Sequence, residues 1–191
     1  MEALIQMDGN ILLYIQEFIR QEWMHPFWIF ITSLGDGGWF WIVCSAALLI
    51  PKGTRRVGIT ALMALAVGAL ITNVALKNIV ARIRPYEVVD GLTLLIGKPH
   101  DYSFPSGHTC ASFAAALVYY RMLPKRWGAA ALILASLIAF SRLYVGVHYP
   151  TDILGGAAVG AAASMASLWI ARHIHIKRSP NGDADCKNKD K

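Results

Sequence analysis

Three long stretches without Asp, Glu, Lys or Arg dominate the hydrophobic pattern of this chain. They cover residues 57–76, 102–120 and 153–171. Each is close to the ~20 residues that an α-helix needs to cross a hydrocarbon layer of ~30 Å. A fourth apolar stretch, residues 127–141, continues through Arg142 into further apolar positions. The pattern predicts a membrane-spanning helix at each of these four places.

The N-terminal part of the chain allows two interpretations. Residues 26–50 carry one charged side chain, Asp36, within the Gly-rich residues 34–38, which predicts a tight turn between two helices. Before it, apolar side chains recur at helical spacing over residues 11–19. Residues 1–25 therefore form either an amphipathic helix at the membrane interface or the lower half of a first span kinked at His25–Pro26. The total is five or six spans.

Composition supports a membrane protein. Of the 191 residues, 55% are hydrophobic and 16% are charged, which would leave a soluble globule of this size with too much apolar surface. We expect an all-α fold, a polytopic bundle of six helices that cross or nearly cross the membrane. One domain covers residues 1–178, with a catalytic core at 57–172, and residues 179–191 are predicted to be a polar, disordered tail.

The basic residues suggest an orientation. Residues 51–56, residues 121–126 and the tail from Arg172 hold most of the Lys and Arg, and six spans would put all three segments on one side. The positive-inside rule makes that side, with the C-terminal tail, cytoplasmic. Topology then accounts for the net charge of +6, and we expect no nucleic-acid partner.

Candidate chemistry gathers at the opposite pole, where ionisable side chains lie near span ends and are therefore functional candidates. Lys77 and Arg84 are seven residues apart, about 20° out of register on a helix, so both cations should point the same way and form an anion clamp. The alternative is that they reach to lipid headgroups at the interface, the interpretation we keep for Arg82.

The sequence Pro-Ser-Gly-His of residues 105–108 opens the next predicted span. A helix N-terminus there would point unpaired amide groups and the positive end of the helix dipole at an anion. Ser106 can cap the helix or bind the anion, and Gly107 allows an oxyanion to approach the backbone closely. His108 adds an imidazole at the same place. A motif this short is also an ordinary helix start.

The most specific group is Arg142, His148 and Asp152. A helix beginning at Pro150 would bring Asp152 within reach of one ring nitrogen of His148, fixing its tautomer and leaving the other nitrogen free to attack. The alternatives are a carboxylate favoured by the helix dipole and an interfacial histidine. Because the two histidines must act in opposite protonation states, we expect a bell-shaped pH profile.

These three segments resemble the signature motifs of the type 2 phosphatidic acid phosphatase family, which is related to the vanadium haloperoxidases. The resemblance implies that His148 is a nucleophile that forms a phosphohistidine, that Asp152 orients it, and that His108 is the general acid. It implies a phosphate site made of Lys77, Arg84, Ser106, Gly107 and Arg142. Phosphoryl transfer needs such positioning and charge neutralisation more than elaborate covalent chemistry.

We expect neither a metal nor another cofactor, because three cations at the site would repel a divalent ion and the sequence has no metal-binding motif. The expected protein is an integral protein of a bacterial plasma membrane with an extracytoplasmic site. Its expected substrate is a lipid phosphate: an isoprenyl diphosphate such as undecaprenyl diphosphate, phosphatidylglycerol phosphate or phosphatidate. The alternative is a non-catalytic lipid-phosphate binding or transport protein. The oligomeric state is left open.

Overall fold

The fold is known from a computed structural model of the chain, which describes residues 2–177. Within this range it is all-helical, as predicted, and has no strand. The predicted polar tail, residues 179–191, lies outside the described residues. The α-helices are α1 (Glu2–Tyr14), α2 (His25–Ser33), α3 (Trp39–Ala47), α4 (Arg55–Ala69), α5 (Lys77–Val80), α6 (Pro85–Val88), α7 (Gly107–Met122), α8 (Lys125–Tyr144) and α9 (Pro150–Lys177).

Helix α7 is the centre of the bundle and packs against α4, α8 and α9. Small residues make this packing close. A Cβ atom on Gly156 or Gly160 of α9 would lie 2.5 Å from the carbonyl oxygen of Ser106 or Cys110, respectively. Glycine at these positions therefore lets the backbones of α7 and α9 touch. The contact places the first turns of the two helices side by side, and the Ser106 N–H donates to the carbonyl oxygen of Asp152 at 3.1 Å.

The chain before α4 departs from the prediction. A π-helical turn, Ile15–Ile19, follows α1, and the helix is interrupted at Arg20 and Gln21 rather than kinked at His25–Pro26. The predicted turn at residues 34–38 is present. It bends the helical segments on its two sides by only 44°, so they form one broken span or a re-entrant loop rather than two separate spans.

The six predicted spans are not confirmed. Within residues 2–177, three helical segments are long and apolar enough to cross a membrane: Arg55–Val88, Lys125–Tyr144 and Pro150–Ile174. The bent pair Glu22–Ser33 and Asp36–Ala47 would make a fourth. Helix α7 has 16 residues, because residues 102–106 are not helical although they are uncharged. Hydropathy alone does not distinguish a helix from an apolar loop buried in protein.

Candidate active site

The segment after α4 brings Lys77 and Arg84 together, but not on one helix face as predicted. Helix α5 ends at Val80, and Ala81 adopts a left-handed conformation with φ 46°. Residues 82–84 then leave the helix, and Pro85 begins α6. Both cations nevertheless bind the same carboxylate, Asp101. A residue other than glycine is strained in the left-handed conformation, and such strain concentrates at functional sites.

Asp101, in the loop between α6 and α7, is the present partner of this cation pair. Its carboxylate contacts the Lys77 ammonium and accepts a hydrogen bond from Arg84 Nη2 at 2.6 Å. Partial burial raises the pKa of Asp101, but the hydrogen bonds and charges of Lys77 and Arg84 outweigh it, so the pKa lies below its usual range. The carboxylate therefore stays ionised and marks an anion-binding position.

The N-terminus of α7 holds the second motif. Ser106 caps the helix, its hydroxyl accepting from the Thr109 N–H at 3.4 Å. A Cβ atom at Gly107 would lie 3.8 Å from the Lys77 ammonium, so this glycine leaves the backbone open to the same space. His108 Nε2 lies 2.8 Å from Asp36 Oδ1. The turn between α2 and α3 thus contributes a carboxylate to the site.

His148 and Asp152 lie as their spacing predicted. Helix α9 begins at Pro150, and His148 Nδ1 is 3.4 Å from Asp152 Oδ2. The same oxygen accepts from the Tyr149 N–H at 2.9 Å and from the Ser103 hydroxyl. On the other side of the ring, His148 Nε2 lies 3.4 Å from Arg84 Nη1. Nδ1 is therefore occupied by the carboxylate, and Nε2 faces the cations.

Burial decides the charge of His148. This residue lies in the loop between α8 and α9 and is 2% exposed. Burial lowers the pKa of His148 to about 3, and the opposing hydrogen bond to Asp152 does not offset it. The imidazole is therefore neutral at pH 7, the form in which a ring nitrogen has a free electron pair.

Arg142, on α8, completes the set of cations. It is 3% exposed, and its Nη1 donates to the Thr32 hydroxyl of α2 at 2.7 Å. Its Nε is buried without a hydrogen-bond partner. A buried guanidinium with an unpaired donor is costly unless an anion satisfies it.

One cavity connects these groups. It has a volume of about 370 Å³, and both His108 and His148 line it. The other charged lining residues are Asp36, Lys77, Arg84, Asp101 and Arg142. Three cations and two imidazoles around a cavity of this size suit a phosphate group. Lys77, Gly107 and His108 also border a second, larger cavity of about 540 Å³, with apolar lining from α3 and α4.

Some residues of the site escaped the sequence analysis. Ser103 and Asp101 belong to a loop without a motif, and Arg82, which we interpreted as reaching to headgroups, instead binds Asp152 Oδ1 at 2.8 Å. Asp36 had a usable signal, since it is the one charge in a long apolar stretch and such charges are usually functional. Among the described residues, no cluster of three His, Cys, Asp or Glu side chains could hold a metal ion.

Comparison with known proteins gives a family match. The family model described as the PAP2 superfamily matches residues 57–175. The undecaprenyl-diphosphatase of Sulfolobus acidocaldarius is 35% identical over 150 residues, covering 78% of this chain and 72% of the relative. The residues that the family model matches contain all three motifs but not residues 1–56, which supply Asp36 and Thr32 to the cavity.

Solved structures agree. The crystal structure of a transmembrane PAP2-type phosphatidylglycerolphosphate phosphatase from Bacillus subtilis matches with a TM-score of 0.75 and 26% identity, covering 91% of this chain and 89% of that one. A bacterial vanadium-dependent iodoperoxidase matches with a TM-score of 0.65 and 17% identity, covering 86% of this chain and 47% of that one. The second likeness concerns the fold alone.

Proposed function

This chain belongs to the PAP2 superfamily and is a membrane lipid phosphatase of that type, and we propose that it removes the terminal phosphate of an isoprenyl diphosphate through a phosphohistidine at His148. The observation that carries the proposal is the cavity, lined by three cations, in which a buried, neutral imidazole has its Nε2 3.4 Å from Arg84 Nη1. The relative from Sulfolobus acidocaldarius supports the substrate, since undecaprenyl diphosphate is such a lipid.

In the first chemical step, Nε2 of His148 attacks the terminal phosphorus. The bond from phosphorus to the bridging oxygen breaks, and His108 donates a proton to the departing lipid phosphate. Asp152 holds Nδ1–H, so the positive charge that develops on the ring lies against a carboxylate 3.4 Å away. This carboxylate keeps the ring in the tautomer and orientation that the attack requires.

In the second step, water attacks the phosphorus of the phosphohistidine, and His108, now neutral, accepts the proton of that water. The P–N bond breaks, inorganic phosphate leaves and the neutral imidazole of His148 is restored. One histidine thus acts first as acid and then as base, which balances the protons over the cycle.

Charge neutralisation falls to Lys77, Arg84 and Arg142, with the amide groups at the start of α7. Asp101 already forms salt bridges with Lys77 and Arg84, so a phosphate that binds to these two cations takes the place of the carboxylate. Arg142 brings an unpaired buried donor that an equatorial phosphate oxygen would satisfy. We propose that these groups do the work without a metal ion.

The larger cavity supports a lipid substrate. It runs from Lys77 and His108 to apolar side chains that include Ile42 of α3 and Leu62 of α4. A phosphate held between the cations would leave the first part of an isoprenyl or acyl chain in this space, with the rest in the bilayer. We further propose that the site faces the extracytoplasmic side of the plasma membrane and that the C-terminal tail is cytoplasmic.

Phosphatidylglycerol phosphate is the second candidate, because the similar Bacillus subtilis structure is a phosphatase for that lipid. A lipid-phosphate binder or transporter is the non-catalytic alternative. The Asp152 network argues against it, since binding alone does not require a carboxylate that fixes one imidazole tautomer.

One assay separates these possibilities. Purified protein is given undecaprenyl diphosphate, phosphatidylglycerol phosphate and phosphatidate in turn, and inorganic phosphate release is measured with chelator present and then with vanadate added. We expect the fastest release from the isoprenyl diphosphate, no effect of chelator and inhibition by vanadate. Activity abolished by chelator would contradict the metal-free mechanism. Absence of release from every lipid would favour the binder.

A further inference from the structure

Arg82 lies behind the reaction site and bridges two buried carboxylates. Its Nη1 donates to Asp152 Oδ1 at 2.8 Å and to the Thr151 hydroxyl at 2.6 Å. Its Nη2 donates to Asp8 Oδ2, also at 2.8 Å. The guanidinium carbon stands 3.9 Å from the centre of the Tyr149 ring, a cation–π distance. Both terminal nitrogens and one face of this guanidinium are therefore in contact with neighbouring groups.

Asp8 belongs to α1, and its side chain is fully buried although it carries a charge. Within the described residues, Arg82 is the only cation that forms a salt bridge with it. Asp8 also accepts a hydrogen bond from Thr151, the residue before Asp152. A buried carboxylate is costly unless it is paired, so the burial of Asp8 depends on its salt bridge with Arg82.

We propose that Arg82, held by Asp8, is a positioning residue for the Asp152–His148 pair, and that α1 is thereby part of the catalytic unit. The inference rests on the proposed role of His148 as nucleophile. It goes beyond the three motifs, because neither Arg82 nor Asp8 belongs to them and Asp8 lies outside the residues that the family model matches.

The physical reason is the division of labour between the two oxygens of Asp152. Oδ2 serves His148, Tyr149 and Ser103, whereas Oδ1 has Arg82 alone among side chains. Without the guanidinium, Oδ1 would be a buried, unpaired acceptor. The carboxylate would then rotate or bind a proton, and in either case its hold on Nδ1 of His148 would weaken.

The first test compares Arg82→Gln with the wild-type enzyme in phosphate release. We expect kcat to fall roughly 10- to 100-fold, as for other small misplacements of reacting groups, with KM changed less than about twofold. The cation that offsets the charge of Asp152 is lost, so the acid limb of the kcat/KM profile should move to higher pH. The other groups facing His148 stay in place: Arg84, Arg142 and the Ser103 hydroxyl.

Arg82→Lys and Asp8→Asn sharpen the test. Lysine keeps the positive charge but cannot bridge two carboxylates, so kcat should be intermediate while the acid limb stays near its wild-type position. Asp8→Asn should lower kcat several-fold. Because Asp8 acts through Arg82, the double variant Asp8→Asn with Arg82→Gln should be no slower than Arg82→Gln alone.

Arg55→Gln is the matched control. Arg55 donates to the Leu49 carbonyl oxygen near the opposite end of α4, and its loss should leave kcat and the pH profile unchanged. An Arg82→Gln enzyme with wild-type kcat and acid limb would overturn the inference, even if its Tm were lower. Additive losses in the double variant would overturn the link to α1. Should Arg82→Gln not fold, Arg82→Lys and Asp8→Asn still decide the question.

His148→Ala, measured alongside, separates the two levels of the proposal. An inactive His148→Ala enzyme with wild-type kinetics for the Arg82 and Asp8 variants would overturn the positioning role alone. An active His148→Ala enzyme would overturn the proposed nucleophile, and the positioning role with it.

Discussion

The two histidines of the site lie in unlike surroundings. His148 is 2% exposed and faces Asp152, which is fully buried and held by hydrogen bonds from several groups. The side chain of His108 is 17% exposed and contacts Asp36, whose side chain is 64% exposed on the turn between α2 and α3. A nucleophile must be held in the one orientation in which it can attack phosphorus. A group that first protonates the leaving oxygen and then deprotonates a water must reach both of these atoms. The surroundings match these two roles.

The surroundings of His148, the nucleophile half of the site, and those of His108, the acid half, also come from different parts of the chain. Ser103, His148 and Asp152 all lie within the matched residues 57–175. Asp36 precedes that region, as does Thr32, which binds Arg142. The contacts of the nucleophile within the cavity therefore come from residues that the family model matches, whereas the Asp36 contact of His108 comes from the turn that precedes them. Changes in each half should have different kinetic signatures.

The largest effect is expected from His148→Ala. Removing the attacking atom should lower kcat by roughly 10⁴-fold or more, since the remaining groups can only position water and phosphate. Phosphate release is the measurement, and the variant should still be recovered folded from the membrane. His173→Ala is the matched control, because His173 is an exposed histidine near the far end of α9 and should have wild-type activity. Substantial turnover by His148→Ala would contradict the assignment.

His108→Ala should have the next largest effect, and its size should depend on the leaving group. When the substrate is an isoprenyl monophosphate, the leaving group is an alkoxide that needs a proton. The loss of a general acid should then lower kcat/KM about 10²- to 10⁴-fold. When the substrate is an isoprenyl diphosphate of the same chain length, the leaving group is a phosphate ester, whose second pKa is near 6. The loss in kcat/KM should then be much smaller. The measurement is the ratio of the two losses in kcat/KM, because kcat/KM reports the steps up to departure of the leaving group and not the later attack of water, in which His108 acts as base. Equal losses would mean that His108 does not protonate the leaving group.

Asp36→Asn should have a smaller effect, confined to the acid half. Burial lowers the pKa of His108, and the hydrogen bond to the Asp36 carboxylate opposes that shift. Removing the carboxylate should therefore lower kcat several-fold and move the alkaline limb of the pH profile to lower pH. Lys77 and Arg142 still face His108 in the variant. The acid limb, which reports the other histidine, should not move. Asp90→Asn, an exposed loop carboxylate, is the control. An unchanged alkaline limb would remove Asp36 from the acid half.

What the sequence could predict of this site follows from how local each contact is. His148 and Asp152 meet because four residues separate them at the start of a helix, a geometry that spacing alone determines. Lys77 and Arg84 were also predicted to converge, but for a wrong reason. The helix that should have aligned them ends at Val80, and both contact the loop carboxylate of Asp101 instead.

Contacts between distant segments could not be predicted in this way. Asp36 and His108 are 72 residues apart, and their distance depends on how α2, α3 and α7 pack. The number of spans has a similar limit. Residues 102–106 lack Asp, Glu, Lys and Arg, as do residues 107–120 of the helix that follows, yet they form a loop that carries Ser103 into the site. Hydropathy does not indicate where a helix begins inside an apolar stretch.

The smallest expected effect is the change in rate between neutral and mildly acidic pH. Because burial lowers the pKa of His148 to about 3, the imidazole stays neutral as the pH falls from 7 to about 5. It loses its free electron pair only when the pH approaches that pKa. The fall in kcat/KM that comes from protonation of His148 should therefore be less than about twofold over this range, whereas an ordinary histidine, with a pKa near 6.5, would lose most of its activity.

The measurement is kcat/KM from about pH 4 to 8, divided by the ionisation of the substrate, which a ³¹P NMR titration of the lipid alone provides. Asp101 does not interfere, because its pKa is also lowered and its carboxylate keeps its charge throughout. An acid limb of the enzyme near pH 6.5 would mean that His148 is hydrated in the working site. The contrast between a fully buried nucleophile and an acid whose side chain is 17% exposed would then be wrong, and the two histidines would share one environment.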